Sequence, residues 1–142
     1  MIIFNEENAK SKLKNKRILK QWIKEVVDDY GLVVGDLCYI FCTDDKILEV
    51  NRQYLSHDYY TDIITFDYVD GSVCSADMFI SVDTVLSNSF LYSSSYLCEM
   101  HRVLIHGVLH LCGLKDKSPK DSIIMRAAED KALLQLKLLL EQ

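Results

Sequence analysis

The sequence has 142 residues, of which 49% are hydrophobic, and a formal net charge of -5. No apolar run reaches the ~18 residues needed to cross a bilayer, and the N-terminus places its apolar residues before its basic ones, the reverse of a signal peptide. The acidic balance disfavours a general polyanion binder, because phosphate affinity normally comes from clustered lysine and arginine. We therefore expect one globular domain over residues 1–142, in the cytoplasm and without a membrane partner.

The cysteines indicate a reducing environment, and the basic residues cluster near the N-terminus. Five cysteines are present, an odd number without CxxC spacing, which is typical of reduced thiols inside apolar segments. Seven of the sixteen basic residues lie between Lys10 and Lys24. Such a run most often forms a solvated helix face, although it could also flank a bound nucleic acid.

The first half of the chain predicts two strands and two helices. The opening "MIIF" is short and apolar enough for a strand, and "DLCYIFC" is a continuous β-forming run typical of a central strand. A helix is predicted from about Asn15 to Gly31, where glycine favours a helix end. Thr43 is expected to cap a second helix that begins at Asp44 and ends near Leu55.

The second half predicts two adjacent strands, "TDIITFDYVDG" and "ADMFISV", followed by a short helix in "VDTVLSNSFLYSSS". The segment "YLCEMHRVLIHGVLHLCG" is apolar on most of its circumference, which indicates a helix through the centre of the domain. Ser118 and Pro119 mark the start of a last helix. Its predicted inward stripe consists of Ile123, Ala127, Leu134 and Leu138.

These elements show no regular βαβ rhythm, so the predicted fold class is α+β. We expect a single domain with a small mixed β-sheet of about four strands, packed by about five helices. This fold leaves the central helix available to carry a functional site.

The central helix carries two histidines at metal-binding spacing. His106 and His110 are four residues apart, so both imidazoles can reach one ion. Gly113 ends the helix and lets the chain turn back, which delivers Asp116 to the same side as a third ligand. The competing interpretation is two hydrogen-bonded core or surface histidines beside a solvated aspartate. His101 lies ~140° away around the helix and is not expected to be a ligand.

Gly107 follows the first of these histidines, where zinc peptidases of the HExxH type carry a glutamate general base. A peptidase would therefore need a base from outside the helix. Glycine inside a helix costs about 1 kcal/mol relative to alanine, so we expect another group to approach the backbone closely at this position.

Three segments resemble the YbeY family of metal-dependent endoribonucleases, which act in ribosomal RNA maturation. "HGVLHLCGLKD" is similar to the family signature HGxLHLxGxDH, "NRQYLSHDYYTDIITFDY" to a conserved upstream block, and "ADMFIS" to a third block. The matches run from about Val50 to Asp116. The resemblance implies a YbeY-like endoribonuclease domain with a zincin-like metal site at the end of the central helix.

Carried over residue by residue, the family's first two zinc ligands fall on His106 and His110. Its third ligand, normally histidine, falls on Asp116, and the aspartate before it falls on Lys115. Aspartate is an accepted zinc ligand, so the resemblance still implies one Zn²⁺ per chain. The same donor set also suits Ni²⁺, Mn²⁺ or Fe²⁺.

The upstream block departs further from the family. An arginine implicated in activity falls on Leu55, and a lysine on His57. Asp58 and Asp62 are kept, and we nominate both as catalytic candidates that orient water or hydrogen-bond a ligating histidine. Either aspartate could instead cap or turn the backbone that enters the following strand.

The leading functional hypothesis is a hydrolase of single-stranded RNA in rRNA precursors, acting in ribosome biogenesis through zinc-activated water. The alternative is a non-catalytic ribosome-assembly factor that contacts the ribosome or a ribosomal protein and uses a structural zinc. The missing arginine favours this alternative, because arginine supplies a bidentate phosphate-binding fork.

Overall fold

The computed structural model describes residues 1–56 and 61–142. Within these residues, four strands and five helices follow one another along the chain. They are β1 (Ile2–Glu6), α1 (Lys16–Asp29), β2 (Val33–Cys42), α2 (Asp44–Leu55), β3 (Ile63–Asp67), β4 (Val73–Ser81), α3 (Val82–Leu91), α4 (Tyr96–Leu111) and α5 (Pro119–Leu140).

The four strands form one mixed sheet in the order β1-β2-β4-β3. Strands β1, β2 and β4 are parallel, whereas β3 runs antiparallel to β4, with Ile63 opposite Ile80. This architecture confirms the predicted α+β class. It also places β3 at an edge of the sheet, where a groove can open beside it.

The side chains of β4 alternate between two apolar clusters, as expected for a strand covered on both faces. Met78 and Ile80 point into the main core, which they share with residues of α1, α4 and α5. Phe79 points to the opposite face and packs against a smaller cluster that includes Ile47 of α2 and Ile64 of β3. The sheet is therefore packed by helices on both sides.

Helix α4 is the predicted central helix. Nine of its residues are buried, and the Tyr39 hydroxyl of β2 donates a 2.9 Å hydrogen bond to the Leu104 carbonyl. A Cβ atom at Gly107 would lie 2.8 Å from Met78 Sδ and 2.9 Å from Ile63 Cδ1. The close approach expected at this glycine is confirmed, and the groups that approach it are side chains of the sheet.

The helix ends largely follow the sequence signals. Thr43 and Ser118 accept hydrogen bonds from the backbone amides of Lys46 and Asp121, so both predicted N-caps are confirmed. Gly31 lies just past α1 with a φ of +73°, the left-handed conformation expected of a glycine there. Among the described helices, none is both long enough and apolar enough to span a membrane.

The predicted inward stripe of α5 is wrong. Ile123, Leu134 and Leu138 are exposed, and so is Ala127. The buried face of this helix consists instead of Met125, Glu129, Ala132 and Leu136. Apolar residues surround most of α5, so its periodicity does not single out one face. The packing of α5 against the rest of the domain decides which of its faces is buried, and that face includes Glu129.

Candidate metal centre

Two imidazoles and one carboxylate converge at the end of α4. The Nε2 atoms of His106 and His110 are 3.0 Å apart, and Asp116 Oδ2 lies 3.3 Å from the first and 3.4 Å from the second. Ligand atoms bound at 2.0–2.1 Å to a tetrahedral ion are separated by about 3.3 Å. The three predicted ligand residues are therefore already spaced as such an ion requires, and they form a group able to hold one.

The end of α4 explains how Asp116 reaches the histidines. Gly113 has a φ of +102°, and its amide donates to the His110 carbonyl while the Leu114 amide donates to the Leu109 carbonyl. This pair of bonds is the Schellman motif, in which a left-handed residue reverses the chain across the helix end. The next residues consequently pass beside the histidine face.

The same reversal fixes the tautomer of one histidine. His110 Nδ1 lies 2.9 Å from the Leu114 carbonyl oxygen, which can only accept a hydrogen bond. The Nδ1 atom must therefore carry a proton, so in a neutral His110 the Nε2 lone pair would face the point shared by the three residues. Neutral imidazole in this tautomer is the form that binds a metal ion.

Glu129 of α5 holds the other histidine. Its Oε2 atom lies 2.6 Å from His106 Nδ1, and its Oε1 atom accepts a 2.7 Å hydrogen bond from Arg102. Arg102 also donates a 2.7 Å bond to Asp130. A carboxylate behind a ligating histidine orients the ring and raises its basicity as a ligand. This carboxylate was missed in the sequence, where the only sign of it is one charged residue on an otherwise apolar helix stripe.

Burial and charge act in opposite directions on this pair. Burial by itself would lower the pKa of His106, but the hydrogen bond and charge of Glu129, with the charges of Asp62 and Asp116, raise it overall. Burial by itself would raise the pKa of Glu129, yet its bonds to His106 and Arg102 lower it. The carboxylate is therefore held ionised against the imidazole.

Only one of the two nominated aspartates can be placed. Asp62 immediately precedes β3 and lines the space around the ligands together with His106 and Asp116. Burial raises its pKa, partly offset by the nearby His106. Asp58 lies outside the described residues, as does His57, so their predicted roles stay predictions.

Two clefts meet at the metal centre. The β3 cleft, of about 660 Å³, runs along the sheet edge and includes Thr65, Asp67 and Lys117. The α5 cleft, also about 660 Å³, runs between α3, α4 and α5. Both contain Asp62, His106 and Asp116. The candidate ligands therefore lie where an extended molecule could pass from one cleft into the other.

The remaining predicted residues lie elsewhere. His101 packs edge-on against Trp22, with ring centroids 6.3 Å apart, and burial lowers its pKa. Leu55 is the last residue of α2 and is partly exposed. Lys16, Arg17 and Lys24 of α1 are exposed, whereas Lys20 is half-buried, with its ammonium 5.8 Å from the centre of the Phe4 ring.

Comparison with known proteins gives consistent matches. The family model for endoribonuclease YbeY matches residues 2–137. The chain is 56% identical over 138 residues to a protein named endoribonuclease YbeY from Phocaeicola vulgatus, covering 97% of this chain and 100% of the relative. A protein of the same name from Bacteroides thetaiotaomicron is 53% identical over 132 residues, covering 93% of this chain and 96% of the relative.

A solved structure shows the same fold. The solution structure of a Thermotoga maritima protein is similar to this chain with a TM-score of 0.65 and 25% sequence identity. The alignment covers 96% of this chain and 89% of that protein. The architecture that brings the ligands together is therefore shared with a more distant relative.

Proposed function

Because the chain belongs to the YbeY endoribonuclease family, we propose that it is a metal-dependent endoribonuclease that cleaves single-stranded RNA during rRNA maturation and ribosome biogenesis. The observation that carries this proposal is the convergence of His106, His110 and Asp116 within 3.4 Å of one another, between two open clefts. A site with three protein ligands keeps a coordination position for water or substrate. This activity would place the protein in the cytoplasm, with rRNA precursors and the ribosome as partners.

We propose Zn²⁺ as the ion, since two imidazoles and one carboxylate match its preferred donors. When bound, the ion would supply Lewis acidity toward a phosphoryl oxygen and toward water. The protein contributes the fixed tautomer of His110 and the carboxylate that holds His106. Both are in place before binding, so little rearrangement is required of the ligands.

Asp62 is the described residue best placed to handle the attacking water. It lies in both clefts beside His106 and Asp116, so its carboxylate can accept a hydrogen bond from water on the substrate side of the ligands. Hydrolysis forms a bond between the water oxygen and phosphorus and breaks the bond to the leaving ribose oxygen, which takes up a proton. Asp58 stays a second candidate for this task.

The test is cleavage of single-stranded rRNA fragments by metal-loaded protein. We expect cleavage by the native chain and by His101→Gln, which alters a histidine of α4 outside the cluster, but none by His110→Ala. Cleavage that persists in His110→Ala would overturn the metal-dependent mechanism. A metal-loaded chain that binds rRNA without cutting it would instead support the alternative of a non-catalytic assembly factor.

Elemental analysis of protein purified without chelators identifies the ion. We expect one ion per chain in the native protein and a large loss in Asp116→Ala, because two histidines alone hold a divalent ion weakly.

A further inference from the structure

The α5 cleft contains a positively charged side chain, Arg126, that takes no part in the candidate metal centre. Four carboxylates line this cleft, those of Asp62, Glu99, Asp116 and Glu129. Two guanidinium groups, of Arg102 and Arg126, lie among them. A divalent ion on the ligands would balance the formal charge of the cleft, so a phosphate could enter it once the ion is bound.

The two arginines differ in how strongly they are held. Arg102 is 20% exposed at its side chain and donates 2.7 Å hydrogen bonds to both Glu129 and Asp130. Arg126 is 61% exposed, forms an ion pair with Glu129 at 3.7 Å, and its charge also acts on the Glu99 carboxylate. Since Glu129 already binds Arg102 and His106, the Arg126 guanidinium keeps its fork of donors for a further anion.

The cleft also exposes an aromatic and an aliphatic side chain. Tyr92, which follows α3, and Ile123, in the first turns of α5, are 60% and 72% exposed and both line the cleft. Unpaired bases in single-stranded RNA stack on such aromatic side chains. The cavity volume of about 660 Å³ is also within the range of pockets that hold small ligands.

We infer that the α5 cleft binds the nucleotide next to the scissile phosphate, with Arg126 binding its phosphate and Tyr92 stacking on its base. This inference rests on the proposed endoribonuclease function and adds a substrate-binding site to it. Arg126 reaches the substrate from α5, whereas the metal ligands hold the ion from α4 and the segment that follows it.

The test compares two arginine variants with a matched control on the same helix. Arg126→Gln removes one positive charge from the cleft, and Lys131→Gln removes one from an exposed position of α5 that lines a different surface. Arg126→Lys keeps the charge without the planar fork. Binding is measured by fluorescence anisotropy of a 2′-O-methyl oligoribonucleotide, with its integrity checked on a gel, and cleavage is measured on single-stranded RNA.

We expect Arg126→Gln to raise the dissociation constant and KM about tenfold and to lower the salt-dependence slope by about 0.7, as loss of one phosphate contact to a single strand requires. The dissociation constant of Arg126→Lys should fall between those of the native chain and Arg126→Gln. Tyr92→Ala should weaken binding about tenfold without changing the slope, because stacking releases no counterions. Lys131→Gln should bind like the native chain, and all four variants should retain their metal.

Arg126→Gln binding as tightly as Lys131→Gln would overturn the inference while leaving the endoribonuclease proposal intact. A native chain that binds the oligonucleotide but cleaves no RNA would overturn that proposal, and the effect of Arg126→Gln on binding would still decide the inference. A native chain that neither binds nor cleaves would overturn both.

Discussion

At the scale of single residues, Glu129 holds one histidine of the candidate metal centre. It is 5% exposed and reaches His106 from a different helix than the one that carries the histidines. Its position makes the ring orientation of His106 a property of the packing between α4 and α5. The ligand set is therefore not determined by the α4 segment alone.

We predict that Glu129→Gln weakens metal affinity about 10- to 100-fold, the usual effect of losing a carboxylate behind a ligating histidine. Isothermal titration with Zn²⁺ measures this change. Asp130→Asn is the matched control, because Asp130 also accepts a bond from Arg102 but does not contact His106. Equal losses in both variants would contradict a direct role of Glu129 behind the ligand.

The ion pair between His106 and Glu129 predicts how the stability of the metal-free protein depends on pH. The pKa of His106 is raised in the folded protein, so its contribution to stability is complete below the ordinary histidine pKa of 6.5. This contribution is lost as the pH rises through the pKa of His106 in the folded protein. The lowered pKa of Glu129 stabilises the fold above 4.5, and this contribution is lost as the pH falls. The pair should therefore contribute most between these two values.

Urea unfolding of chelator-treated protein tests this expectation. The free energy of unfolding lost in His106→Gln should be larger at about pH 5.5 than at about pH 8.5. His101 is unchanged in both proteins, so its own titration cancels in the comparison. A loss that grows toward alkaline pH would show that the imidazole is not protonated against Glu129.

At the scale of elements, the end of α4 is the part that a local signal predicts well. Gly113 was expected to end the helix and turn the chain, and its φ of +102° shows that it does. The Schellman bonds then use the reversed chain to place both the Leu114 carbonyl and Asp116 at the histidines. The turn that ends α4 therefore also positions Asp116 of the candidate metal centre.

We predict that Gly113→Ala destabilises the fold by about 1–2 kcal/mol, the cost of a left-handed conformation for a residue with a Cβ atom. It should also weaken metal binding, because Leu114 and Asp116 follow the altered turn. Gly31→Ala is the control, since Gly31 ends α1 with a φ of +73° and a Cβ atom would meet nothing within 4 Å at either position. Similar stability losses with a loss of metal affinity only in Gly113→Ala are the expected result.

At the scale of the whole molecule, the candidate metal centre joins elements that are far apart in the sequence. Helix α4 carries His106 and His110, the segment before α5 carries Asp116, and α5 carries Glu129. Trp22 ties α1 to the same helix, because its indole Nε1 donates a 2.7 Å bond to the Ala132 carbonyl. Binding of an ion should therefore stabilise the fold as a unit.

We predict that Zn²⁺ at 100 times its dissociation constant raises the free energy of unfolding by about 2.7 kcal/mol. Trp22 is the single tryptophan and is fully buried, so its fluorescence reports the transition. His110→Ala should show little of this gain. A gain that survives in His110→Ala would mean that the stabilising ion binds elsewhere.

Much of the fold and three of the site residues could be read from the sequence, because they depend on local geometry. Histidines four residues apart share a helix face whatever the rest of the chain does, and Gly113 and Ser118 mark helix ends through their own backbone and side-chain chemistry. The strands of the sheet were likewise visible as β-forming runs. These features can be predicted from residues that are close together in the sequence.

The buried face of α5 and the role of Glu129 could not be read in the same way. Apolar residues surround most of that helix, so periodicity selected Ile123 and Leu134, which are exposed. Only the packing of α5 against α4 turned Glu129 toward His106 and left Arg126 in the cleft. The sequence by itself determined which three residues could hold an ion and the turn between them, whereas the tertiary structure decided what holds and surrounds them, because contacts between distant segments arise from the burial of whole helix faces.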